Sequence, residues 1–113
     1  MQVLNLKALD GVDPGETQES QIISAQGLSQ ASFHATLSGA SSVNVTVAFY
    51  ASNESTDPAD FFTVTNGSQT FNADGQKLCL IDTAYRWLKI VSSDGGATSG
   101  GALDVWFFGS GQN

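Results

Sequence analysis

The chain has 113 residues, four basic against eleven acidic side chains, a formal charge of −7 and one cysteine. That length suits one domain able to bury a real core, the acidity disfavours phosphate backbones and anionic lipid as partners, and a lone cysteine excludes an intrachain disulfide framework. Charged residues make up only 13%, and the prevalence of Gly, Ser, Thr, Ala and Val is that of short strands joined by small-residue turns.

Residues 1–6 alternate apolar and polar from the start, so the chain is expected to open on a strand rather than on a secretory leader. No apolar run approaches the roughly 20 residues of a membrane-spanning helix. Leu4, Leu6 and Ala8 continue the first strand to Asp10-Gly11, a turn pair. Residues 12–20 carry Pro14-Gly15 and two glutamates with almost no apolar side chain, which predicts an exposed loop or an arm. Ile22 and Ile23 form a short strand before Gly27, and Phe33, Ala35 and Leu37 alternate with His34, Thr36 and Ser38 in the next.

The clearest pattern is residues 42–53, where Val43, Val45, Val47 and Phe49 share one face of a strand and Asn44, Thr46, Ala48 and Tyr50 the other. Residues 53–60 are turn formers throughout and predict a surface connection. Phe61 and Phe62 begin the following strand, and Gly67 and Asp74-Gly75 mark further turns around short strands at Val64 and Phe71. Residues 77–81 and 85–92 are two more strand-like runs. A Gly-rich stretch, 94–101, then leads into residues 103–108, and the last two strands are expected to form a long hairpin. Leu103, Val105 and Phe107 on one face, with Trp106 and Phe108 on the other, predict burial on both sides. Eight or nine strands without helical periodicity predict an all-β, two-sheet antiparallel sandwich in a single domain, with a jelly roll as the candidate topology.

Catalytic chemistry has little to stand on. His34 is the only histidine and falls on the polar face of its strand; Cys79 lies in an apolar run, which suits a buried inert thiol. No nucleophile elbow, phosphate loop or dinucleotide fingerprint occurs, and no cofactor is expected. Asp57, Asp60, Asp74, Asp82, Asp94 and Asp104 match no calcium-loop spacing and are read as turn residues rather than metal ligands. Asp82 and Arg86 are placed to close a turn as a surface ion pair. Trp87, Trp106, Tyr50 and Tyr85 could form a flat aromatic platform for a glycan, against which stands their use in core or subunit packing.

Three features carry a family resemblance: Val43–Tyr50 running into Ala51-Ser52-Asn53-Glu54, the step Tyr85-Arg86-Trp87 followed by Leu88-Lys89-Ile90, and the closing Gly-rich hairpin to Val105-Trp106-Phe107. In this order they resemble small β-sandwich virion proteins of tailed bacteriophages, of the head decoration or cement type. The resemblance implies a strand with an exposed turn for the first feature and, for the second, a core strand packed between sheets. It also implies a non-enzymatic virion protein, made in the host cytoplasm, that binds copies of itself and the major capsid protein or another virion protein. Trp106, Phe108, Tyr50 and Trp87 are the expected interface residues, and a trimer is expected before a dimer by analogy with such proteins. A carbohydrate-binding module, or a small tail or baseplate component, is the alternative. Neither nucleic acid nor membrane is an expected partner.

Overall fold

The computed structural model describes residues 2–111. Nine strands are present among them: β1 (Gln2–Val12), β2 (Gln18–Glu19), β3 (Ile23–Ser24), β4 (Gln30–Ser38), β5 (Val45–Ser52), β6 (Phe62–Phe71), β7 (Gly75–Asp82), β8 (Trp87–Asp94) and β9 (Ala102–Gly111). They form two antiparallel sheets, the first ordered β1-β9-β4-β7 and the second β2-β8-β5-β6, with β3 also paired to β8. Taking β2 and β3 as one interrupted strand, only the β5–β6 hairpin joins sequence neighbours within a sheet, and every other connection crosses between the sheets. This is the eight-strand arrangement of a jelly roll.

The period-2 pattern explains which side chains meet. Phe33, Ala35 and Leu37 of β4, Val45, Val47 and Phe49 of β5, Leu88 and Ile90 of β8, and Leu103, Val105 and Phe107 of β9 are all buried between the sheets. Phe49 bridges the layers, its ring centroid 5.1 Å from Phe33 and 6.3 Å from Phe107 in tilted and edge-on geometries that aromatic quadrupoles favour. Val43 precedes β5 and is only half-buried, although it packs against this cluster.

Five local expectations are corrected. The last two strands do not form a hairpin. β8 lies in the second sheet, flanked by β5 and by β2 and β3, and β9 lies in the first, flanked by β1 and β4. Both are interior strands with their hydrogen bonds taken, and the Gly-rich connection crosses between the sheets, tied by the Ser41–Ser99 bridge and by Gly95 N–H donating to Asn44 O. Gly67 is not a turn: it is buried inside a continuous β6. Asn66 before it has φ 59°, and the β5–β6 register shifts between Ala48, opposite Ser68, and Tyr50, opposite Thr63, so the surplus residues of β6 are absorbed in an enlarged bulge.

Residues 12–20 are not an arm reaching outward. Val12 ends β1, the apolar ring of Pro14 is fully buried, and Gln18–Glu19 pairs with Ser92 and Val91 of β8. Ser20 is buried, its Oγ accepting from Ile90 N–H. The first strand also runs past Asp10-Gly11, because bulges at residues 7–12 let it follow β9 while Gly11, at φ 60°, donates its N–H to Asp104 Oδ1. Finally, Asp82 and Arg86 form no ion pair: Asp82 Oδ1 accepts instead from Gln30 Nε2 on the neighbouring strand.

Candidate functional site

Strand parity also decides what the first sheet shows to the outside. Partners in register share a face, so the outward side chains of β1, β9, β4 and β7 line up in rows. One row is Lys7, Trp106, His34 and Leu78; the next is Asn5, Phe108, Ser32 and Leu80; a third is Val3, Ser110, Gln30 and Asp82. Val3, Leu78, Leu80, Trp106 and Phe108 are 51%, 70%, 64%, 50% and 43% exposed. Only two other large apolar side chains are comparably exposed among the described residues, Ile22 and Phe62. One sheet face therefore gathers most of the large apolar side chains that the described residues leave open, a contiguous rather than a scattered exposure.

The predicted two-sided burial of residues 103–108 thus holds on one side only. Leu103, Val105 and Phe107 are in the core, whereas Trp106 and Phe108 stand on the outside. A hollow of about 360 Å³ lies among Asn5, Leu6, Ser32, His34 and the two exposed aromatics, and a second of about 240 Å³ lies between Leu80 and Phe108. The rim nearest Trp106 is polar. Lys7 Nζ sits 4.7 Å from the centre of its ring and bridges Asp10 at 2.9 Å and Asp104 at 3.1 Å. Those carboxylates hold the Lys7 ammonium above its ordinary pKa, and the Lys7 hydrogen bond, followed by that of Gly11 N–H, holds Asp104 below its own.

The four expected interface residues do not share a surface. Trp106 and Phe108 lie on the outer face of the first sheet, Tyr50 and Trp87 on the outer face of the second, where Tyr50 opposes Lys89 and Trp87 opposes Ser52. Trp87 is half-buried with its Nε1–H donating to Glu54 O at 2.9 Å, so it does not pack between the sheets; Leu88 and Ile90 do. Tyr85 stacks edge-on against Phe62. The four aromatics of the glycan reading are therefore split between separate surfaces. The second sheet's outer face instead offers a hollow of about 320 Å³ with the hydroxyl residues Thr46, Tyr50, Thr63, Ser68 and Ser93 in its lining.

Leu78, Leu80 and Val3 escaped the sequence reading. The signal was there for the first two: residues 77–81 are apolar at both parities, as residues 103–108 are, and Cys79 and Ile81 claim the inner face.

His34 and Cys79 belong to opposite faces of one sheet. His34 is outward, its Nε2–H donating to Gln76 Oε1 at 2.6 Å, while Cys79, opposite Phe33, is buried, and burial pushes its thiol pKa up. The two cannot act on one another. Asp74 accepts the N–H groups of Gly39 and Ala40, and Asp94 those of Gly96 and Thr98. Both carboxylates fasten loops, and no group of three acidic, histidine or cysteine side chains gathers as a metal site among the described residues.

No family model and no curated protein matches the sequence. Solved structures match the fold. The chain is similar to the SPBc2 prophage-derived protein YomS, with a TM-score of 0.63 and 11% identity over 96% of this chain and 92% of that one. It is also similar to the PBSX exported protein XepA, with a TM-score of 0.61 and 13% identity over 96% of this chain, although it spans only 37% of XepA. A third similarity is to Bacillus endospore appendages described as disulfide-linked pili, with a TM-score of 0.52 and 12% identity over 97% of this chain and 89% of that one.

Proposed function

We propose that this chain is a non-enzymatic structural protein of a tailed-phage virion, of the head-decoration type, which self-associates and docks on the particle through the outer face of the sheet β1-β9-β4-β7. The observation that carries this reading is the row structure of that face: Trp106, Phe108, Leu78 and Leu80 stand exposed together on one face of a four-stranded sheet. An acidic chain that keeps such a patch in water has a partner for it. The fold-level similarity to a prophage-derived protein over nearly the whole of both chains supports a phage setting by analogy. The separation of His34 from Cys79 supports a role without turnover. On this reading the partner is the major capsid protein or another virion protein.

The test is to purify particles from the source of this sequence and identify their proteins by mass spectrometry. The chain is expected in stoichiometric amounts and is expected to rebind stripped particles; its absence, or a turnover lost specifically on His34→Ala, would overturn the reading. Glycan binding stands second, on the hydroxyl-lined hollow beside Tyr50. Saturable glycan binding that Tyr50→Ala abolishes and Trp106→Lys leaves intact would favour it.

A further inference from the structure

Strand order gives the exposed face a symmetry of its own. β9 and β7 flank β4 on either side, and the aromatic pair Trp106 and Phe108 on β9 stands in the same two rows as the leucine pair Leu78 and Leu80 on β7. A two-fold axis lying along β4, in the plane between two such faces, leaves the rows in place and exchanges their ends. We infer that a second copy of this chain covers the face in this way, each Trp106 seated over the partner copy's Leu78 and each Phe108 over its Leu80. The inference rests on the reading of this face as the docking surface.

Three observations favour a copy of the chain over an unrelated partner. Large side chains then meet smaller ones on both sides of the axis, while His34 and Ser32 of β4 meet their own copies on it, which lets two sheets keep the even spacing of about 10 Å that face-to-face packing requires, whereas an axis across the strands would set Trp106 against Phe108 and leave leucine facing leucine. Two chains of charge −7 repel one another, yet the two central rows hold no carboxylate; Lys7, their single charged side chain besides any charge on His34, is already paired at the edge. The area suits a weak dimer. With the axis on β4 three strands of each copy overlap, about 4.8 Å apart and roughly 30 Å long, on the order of 430 Å² per copy, so a pair buries about 860 Å², the size of weak, transient contacts. One patch meeting itself is an isologous contact and closes as a dimer, whereas a ring of three joins two different surfaces of each chain. On this inference the assembly is a dimer, where the sequence resemblance led to the expectation of a trimer.

The partners can be identified by exchange. In sedimentation equilibrium the full chain should show twice its own mass at tens of micromolar, and Leu78→Glu and Trp106→Lys should each weaken association at least tenfold. Both positions are half or more exposed, so Leu78→Glu should melt as the parent does and Trp106→Lys, which loses the Lys7 contact, should still fold cooperatively with a melting temperature lowered by no more than a few degrees. Mixed together, the two should associate again, since one Trp106–Leu78 contact is restored and Glu faces Lys at the other. Homodimers unaffected by either substitution, or a mixture that stays monomeric, would overturn the axis and the inference. A parent that is monomeric at all concentrations but rebinds particles through this face would overturn the dimer and leave the virion role standing. A parent that does neither would overturn both.

Discussion

The ammonium of Lys7 lies 4.7 Å from the centre of the Trp106 ring, on the strand next to it, while hydrogen-bonded to Asp10 and Asp104. One side chain thus ties the first strand to the interior strand β9 and braces the largest exposed aromatic of the outer face. Cation and ring attract through the ring's quadrupole, and the lysine stem covers part of the indole.

This clamp has a defined pH range. Asp104 titrates below its ordinary value of 3.8, so its contribution is present above that value and is lost as pH falls through the lowered one. Lys7 titrates above 10.5, so its contribution is complete below that value and is lost as pH rises through the raised one. Lys7→Met should therefore lower the melting temperature by a constant amount between about pH 5 and pH 9, and the difference from the parent should vanish in strong acid. Because both groups stay partly exposed to water, added salt should shrink the difference as well. Thermal melts across pH and salt check both statements.

Phe49 joins the two layers through Phe33 and Phe107. Phe49→Ala should cost about 3–5 kcal/mol in urea unfolding. Val45 is fully buried on the same face, and Val45→Asp should cost several kcal/mol by placing an unpaired charge between the sheets. A melt of Val45→Asp within a degree of the parent would contradict the packing described.

Gly67 is required by close approach. A Cβ there would stand 2.9 Å from Val64 Cβ and 3.0 Å from Val64 O, inside the bulge of β6. Gly67→Ala should destabilise by about 1–3 kcal/mol through overpacking, measurable by chemical denaturation.

Exposed positions should behave in the opposite way. Leu80→Ser with Phe108→Ser removes apolar surface that the folded chain leaves in water, so stability should change by no more than about 0.5 kcal/mol per site. Binding of an apolar fluorescent dye should fall, and rebinding to particles should be lost. Strong destabilisation by this pair would mean that the face serves the fold rather than a partner.

Side-chain alternation was enough to identify β4, β5 and the last strand and to choose their inward faces, because parity along a strand is a local property. The all-β class and the two-layer sandwich followed from it. Partnership between strands was not legible. Residues 85–92 and 103–108 are joined by a Gly-rich segment that suits a hairpin, yet they lie in different sheets because β4 and β1 take the edges of β9 while β5, β2 and β3 take those of β8. Hydrogen-bond pairing is decided by contacts distant in sequence, and periodicity carries no record of it.

The exposed apolar face divides in the same way. The sequence alone determined that Trp106 and Phe108 point away from Phe107, since neighbours on a strand must oppose one another. Only the tertiary structure decided that none of the described residues covers them, that Leu78 and Leu80 join them across β4, and that Tyr50 and Trp87 stand on the opposite side of the sandwich. The physical reason is that a strand's two faces are set by its own backbone, whereas the neighbours that complete or bury a face are set by the order in which separate strands assemble.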